Sequence, residues 1–147
     1  MNDRSERQHW MGVLARTSSH DLDRLWRTAG IAAEYRHLRP PEVGSVMVRG
    51  RTGASGAAFN LGEMTVTRCT LRLADGTVGH GYVQGRGKAH AEQAALVDAL
   101  MQGPKAALMR ARILSPLAEA EAARRHARAA KAAATKVDFF TMVRGED

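Results

Sequence analysis

The sequence predicts an α+β protein: a small, mainly antiparallel sheet of at least three strands, helices packed on it, and a long C-terminal helical extension. Three observations carry this. Two β-type runs within 59–86 flank Asp75-Gly76, a pair suited to a tight hairpin because Gly accepts positive φ. A shorter alternating run, Val46-Met47-Val48-Arg49, supplies a third strand. Segments with apolar residues at helical spacing lie on both sides, and a hairpin in water is marginal without such a cover.

In chain order, Asp3 and Glu6 stand at capping-box-like spacing, and Trp10, Met11 and Leu14 share one face of a helix reaching about Arg16. Ser18 and Asp21 make a second box. Leu22, Leu25, Trp26 and Ala29 follow at helical spacing, and Gly30 is a natural stop. The result is a short helical hairpin joined near Thr17-Ser18. Both tryptophans read as packing residues, and Trp10 is also a candidate for a partner interface. Ile31 to Tyr35 predicts one more turn of helix, ended by Pro40-Pro41, since proline lacks the amide donor and restricts the residue before it.

The third strand places Val46 and Val48 on one face, with Met47, Arg49 and Arg51 on the other. Gly50-Arg51-Thr52-Gly53-Ala54-Ser55-Gly56 then reads as a mobile loop, either a plain connection or, through exposed amides, a phosphate cradle. Counting outward from a two-residue turn at Asp75-Gly76 pairs Leu73 with Val78, Leu71 with His80, Cys69 with Tyr82 and Thr67 with Gln84 on the core-directed face. Arg72, Thr70 and Arg68 fall on the other face, beside Gly79, Gly81 and Val83.

Gly85-Arg86-Gly87-Lys88 feeds a helix from about Ala89 to Gln102. Free amides, the helix dipole and Lys88 make its head a plausible anion site. It is not a phosphate-binding Walker loop: Tyr82 stands where glycine is required and Ala89 where Ser or Thr is. Gly103-Pro104 and Ser115-Pro116 each restart the chain. Leu117 to about Lys136 is Ala-rich, acidic early (Glu119, Glu121) and basic late, an order that complements the dipole. The tail Val137-Asp138-Phe139-Phe140-Thr141-Met142-Val143 is apolar and reads as an interface, with Phe139, Phe140 and Met142 as contacts. This divides the chain into an α+β core, 1–103, and a helical arm with its apolar tail, 104–147, for partner contacts.

Composition narrows the function. In 147 residues, 44% are hydrophobic but only 5% aromatic, so part of the chain depends on a partner to bury itself. A net charge of +7 and a pI near 10.5 suit nucleic acid, an anionic surface, phosphorylated small molecules or an acidic protein. One cysteine excludes an intrachain disulfide framework and fits a reducing compartment. No apolar run near the start suggests a leader, and none approaches a membrane span. The cytoplasm is the expected location, with no membrane or nucleic-acid partner.

No complete active site emerges, no catalytic residue is assigned, and no metal site is expected. His90-Ala91-Glu92 looks like part of a zinc deaminase signature, but that chemistry needs two further cysteines, and only Cys69 exists. Cys69 as a nucleophile is outweighed by Cys69 as a small buried hydrophobe. What remains is an electropositive, hydroxyl-rich surface. Arg49, Arg51, Thr65, Thr67, Arg68, Arg86, Lys88 and His90 are its candidate substrate- or phosphate-binding residues, because Arg pairs phosphate bidentately and Thr donates a hydroxyl.

The run Phe59-Asn60-Leu61-Gly62-Glu63-Met64-Thr65-Val66-Thr67-Arg68-Cys69 carries a resemblance. With Arg7-Gln8-His9-Trp10-Met11, Pro41-Glu42-Val43-Gly44, Tyr82-Val83-Gln84-Gly85-Arg86 and Lys136-Val137-Asp138-Phe139-Phe140-Thr141, it makes the chain similar to the PhnG family. These are G subunits of the bacterial carbon–phosphorus lyase core complex, that is, of alpha-D-ribose 1-methylphosphonate 5-triphosphate synthase. The resemblance covers nearly the whole chain. It implies a subunit of a multisubunit transferase, not catalytic alone, that supports transfer of the ATP ribose triphosphate moiety onto a phosphonate with release of adenine. It implies the I subunit as closest partner, then H and J, with L needed for activity. ATP is then a substrate of the complex. No cofactor is implied for this subunit, and the iron–sulfur cluster and S-adenosylmethionine belong to the J subunit. Alternatives are a pure assembly scaffold without substrate contact, and a nucleic-acid-binding arm. Without partners, the exposed apolar arm predicts homo-oligomers.

Overall fold

The computed structural model describes residues 3–135. Helix α1 (Asp3–Arg16) and helix α2 (Ser19–Ala29) form the expected helical hairpin. Ser18 caps α2, its side chain accepting from the Asp21 amide, and Gly30 closes it in the left-handed region at φ 61°. Three strands follow, β1 (Tyr35–Arg51), β2 (Ala58–Leu73) and β3 (Val78–Gln84). They form one antiparallel sheet in the order β1-β2-β3. Helix α3 (Lys88–Met101) crosses back over the sheet. Then α4 (Ala106–Met109), a π turn (Arg110–Leu114) and α5 (Ser115–Ala134) run on as one continuous helix.

The core lies between one sheet face and the helices. Cys69, Leu71 and Val83 meet Ala91, Ala94, Ala95 and Ala99 of α3, with Trp10, Val13, Leu14 and Leu22 closing the side. Gly79 and Gly81 explain how close α3 comes. A Cβ on Gly79 would collide with the Ala95 carbonyl oxygen, and one on Gly81 with that of Ala91. Small residues on both surfaces therefore let helix and strand backbones touch.

Four sequence expectations are corrected. The first is the hairpin register, which is shifted by one residue. The loop holds three residues, Ala74, Asp75 and Gly76, between Leu73 and Thr77. The Leu73 amide donates to the Thr77 carbonyl at 2.9 Å, Gly76 has φ 92°, and Asp75 Oδ1 accepts from the Thr77 amide at 2.8 Å. The pairs are Leu71 with Gly79, Cys69 with Gly81 and Thr67 with Val83 on the core face. Arg72 with Val78, Thr70 with His80 and Arg68 with Tyr82 occupy the other. Because side chains alternate, that single slip sends His80 and Tyr82 outward and the glycines inward.

Second, Ile31 to Tyr35 is not a helix, and β1 begins before Pro40-Pro41 rather than after it. The prolines are tolerated because β1 is an edge strand whose register shifts between His37 and Arg39 and again between Arg39 and Glu42. Third, the loop after β1 is a tight turn. Its Ser55 and Gly56 amides bond to the Gly53 and Thr52 carbonyls, and Arg51 holds the Gly56 carbonyl at 3.2 Å.

Fourth, the core does not stop at residue 103. Met109, Ile113, Leu114 and Leu117 are buried in the same cluster. Pro116 does not restart the helix. The Ser115 amide reaches back five residues to the Arg110 carbonyl, and the widened turn accommodates a proline that has no N–H to give. Only from residue 122 onward is α5 exposed on all sides. Its nearer half is tied down by Arg16 to Glu121 at 2.9 Å and Arg124 to Asp21 at 3.4 Å.

Beyond β3, strands β1 and β2 continue as a two-stranded ribbon. There Met47 (54%), Phe59 (44%) and Leu61 (66%) are exposed, and Leu61 is the extra residue of a bulge between Val48 and Arg49. No helix among the described residues is long and apolar enough to cross a membrane.

Candidate functional site

The sheet face that no described helix covers gathers the charge. Its cross-strand positions carry Arg36 opposite Arg72, Arg39 opposite Thr70, and Glu42 opposite Arg68. His80 and Tyr82 flank them from β3. Same-face residues along a strand lie about 7 Å apart, so the guanidinium groups form a row rather than a point. Arg68 is held by Glu42, through Nη2 at 2.7 Å and Nε at 2.9 Å, and Arg39 lies 3.9 Å from the same oxygen. Thr70 Oγ1 and His80 Nδ1 are 3.2 Å apart. Among the described residues Arg36 and Arg72 make no ion pair, and the buried Arg72 Nε has no hydrogen-bond partner.

The sequence-predicted residues separate into several places. Arg68 lies on this face. Arg49 and Arg51 lie out on the ribbon, where Arg51 is engaged by its own turn. Arg86 and Lys88 are exposed at the head of α3, whose N-cap Gly87 offers no side chain. Thr65 pairs with Ser45 on β1, and its carbonyl accepts from the Gly85 amide at 2.9 Å. Thr67 and His90 are corrected: both are buried and turned to structural bonds. Thr67 Oγ1 donates to the Gly85 carbonyl at 2.7 Å. His90 Nε2 donates to the Leu14 carbonyl at 3.0 Å, and burial holds the imidazole below its ordinary pKa, so it is a neutral strut between α3 and α1. Trp10 is likewise no interface residue. It is 5% exposed and donates through Nε1 to Asp98 at 2.9 Å. Phe139, Phe140 and Met142 lie outside the described residues.

Two clusters went unread in the sequence. Asp98 is fully buried on α3 and gathers four donors: Arg7 Nε at 3.1 Å, Arg7 Nη2 at 2.8 Å, Trp10 Nε1 at 2.9 Å and the His80 amide at 2.9 Å. It joins α1, α3 and the outer edge of β3 at one carboxylate, and that edge is thereby covered. The signal was an Asp inside the apolar run Ala94 to Met101. On the helix side of the sheet, Glu92 accepts from the Tyr35 hydroxyl and lies 3.1 Å from His37 Nε2, with the Tyr35 and His37 rings edge to face. The Glu92 hydrogen bond pushes the Tyr35 phenol up to about 12, so Tyr35 is a proton donor and not a base. This group fastens β1 to α3.

The Cys69 thiol is buried and pushed up to about 11, which leaves almost no thiolate near neutrality. No group of three His, Cys, Asp or Glu among the described residues is placed to hold a metal ion. The surface chemistry is that of a basic sheet face whose arginines outnumber the carboxylates beside them.

A family model described as "Phosphonate metabolism protein PhnG" matches residues 5–145. Alpha-D-ribose 1-methylphosphonate 5-triphosphate synthase subunit PhnG of Rhizobium meliloti (strain 1021) is 47% identical over 147 residues, covering 97% of this chain and 92% of its own length. With a match over nearly its whole length, the chain belongs to the PhnG family of phosphonate metabolism proteins.

Proposed function

We propose that this chain is a subunit of an alpha-D-ribose 1-methylphosphonate 5-triphosphate synthase and acts in phosphonate catabolism. Near-full-length identity of 47% to a protein of that name carries the reading. The reaction it supports is transfer of the ribose triphosphate moiety of ATP onto a phosphonate, with adenine leaving. The chain works as one part of a transferase and not by itself. Its cysteine is buried, His90 is a strut, and its arginines bind anions but supply no nucleophile. The partners are the other subunits of the carbon–phosphorus lyase core, I closest, then H and J, with L for activity. Cofactor chemistry resides in those partners, and the assembly works in the cytoplasm.

A second reading, assembly element without substrate contact, is favoured by the ribbon. Exposed Phe59 and Leu61 share one face of a strand pair that outruns β3, Met47 is exposed on the opposite face, and β2 there has an unpaired edge. The occupant is another subunit of the same synthase. Co-purification of this chain with its H, I, J and L partners, followed by adenine release from ATP plus methylphosphonate, tests both. Release that requires this chain supports the first reading. Release that is equal without it, with no partner retained, overturns both.

A further inference from the structure

We propose that Arg36 and Arg72 form a binding site for a phosphoryl dianion at the end of the sheet where β1 begins. The two arginines are cross-strand partners on the face that no described helix covers. They open into a recess of about 410 Å³ lined by Glu34, Tyr35, Arg36, Arg72, Leu73 and the turn residue Gly76. Like charges directly opposite one another destabilise a sheet. A buried cationic donor with no partner among the described residues, such as Arg72 Nε, costs more. Elsewhere on this face the same conflict is relieved by protein: Glu42 takes Arg68 and approaches Arg39. At Arg36 and Arg72 no described carboxylate does so.

An oxyanion entering the recess relieves the like-charge conflict, its oxygens accepting from the outer N–H groups of Arg72 and from Arg36 across the strand pair. A dianion neutralises two guanidinium groups, whereas a carboxylate would leave one uncompensated; the charge therefore favours a phosphoryl group over a carboxylate. The volume falls at the small end of the range for small-molecule pockets, about 300–1,000 Å³. It accommodates a phosphoryl group and part of whatever carries it. Glu34, exposed in the lining, opposes the ligand and tempers its affinity. The phosphoryl group can come from an oligophosphate chain or from a phosphonate, which share the tetrahedral oxyanion.

The site stands on this chain's own geometry, and its test reads binding directly, apart from the adenine-release assay above. The purified full-length protein is titrated calorimetrically at low salt with sodium tripolyphosphate and with methylphosphonate. Arg36→Gln, an exposed position that leaves the fold intact, and Arg72→Gln are each expected to weaken binding about tenfold or more. Glu34→Gln is expected to tighten it several-fold. Arg128→Gln, which removes an equal charge from α5, leaves it unchanged. The two ligands should compete, and the tighter one identifies the source of the phosphoryl group. Absence of binding by the unaltered protein, an Arg36→Gln variant that binds as before, an equal loss in Arg128→Gln, or simultaneous binding of both ligands would overturn the proposal.

Discussion

Replacing Asp98 with alanine should remove more stability than any other polar substitution on α3. The carboxylate is fully buried and accepts from Arg7 twice, from Trp10 Nε1 and from the His80 amide. Arg7 is 34% exposed, so its guanidinium regains water when Asp98 goes, and its share is small. The Trp10 donor is buried and cannot do so, and the His80 amide, in a half-buried bond, sets the lower end of the range. Each orphaned buried N–H costs about 1–3 kcal/mol, together about 2–6. That brackets the about 3–5 kcal/mol expected when a buried charge pair loses one member. With a urea dependence of about 2 kcal/mol per molar, the unfolding midpoint drops by about 2 M. Far-UV circular dichroism against urea measures this, and Asp98→Asn, which keeps one acceptor oxygen, should fall between wild type and alanine. Arg7→Ala combined with Asp98→Ala should cost less than the two singles added, since each removes the other's partner. A midpoint for Asp98→Ala within about 0.5 M of wild type, at unchanged slope, would refute the assignment of Asp98 as the junction of α1, α3 and β3.

Three further outcomes follow from the packing. Gly81→Ala places a methyl against the Ala91 carbonyl and should destabilise by at least about 1–3 kcal/mol, whereas Gly62→Ala on the open ribbon, with nothing within 4 Å, should be nearly neutral; equal melting temperatures for the two would contradict the close approach of α3. His90 is held below its ordinary pKa by burial, so the unfolded chain takes up a proton before the folded one does; its contribution is constant above about pH 6.5 and is lost as pH falls from there through the folded value. His90→Gln should flatten that part of the stability–pH curve, and an unchanged slope would show that another group produces it. Phe59→Lys with Leu61→Lys alters exposed side chains, so stability should move by less than about 0.5 kcal/mol per site. Recovery of the partner subunits in pull-down should nonetheless collapse, and full recovery would remove the ribbon as a docking surface.

The sequence by itself determined the local elements whose signals are local. Ser18 and Gly30 bracket α2 because a hydroxyl cap and a left-handed glycine are chemistry of single residues. The β2 run and the Ala-rich α5 appear where pattern placed them, and a long motif was enough to identify the family. What pairs with what was decided by tertiary structure. Asp75-Gly76 fits a two-residue and a three-residue loop equally well. The choice fell to the loop that turns Gly79 and Gly81 toward α3, because only there can backbones meet without a Cβ between them. That choice carried Arg72, Thr70 and Arg68 onto a shared outer face with His80 and Tyr82. Pro40-Pro41 reads as the end of a helical turn until β1 is known to be an edge strand with room for irregular register. Thr67 and His90 carry polar groups that suit a ligand as well as a strut, and burial made them struts. Arg36 and Arg72 stand 36 positions apart in the chain, and only the pairing of β1 with β2 sets their like charges side by side.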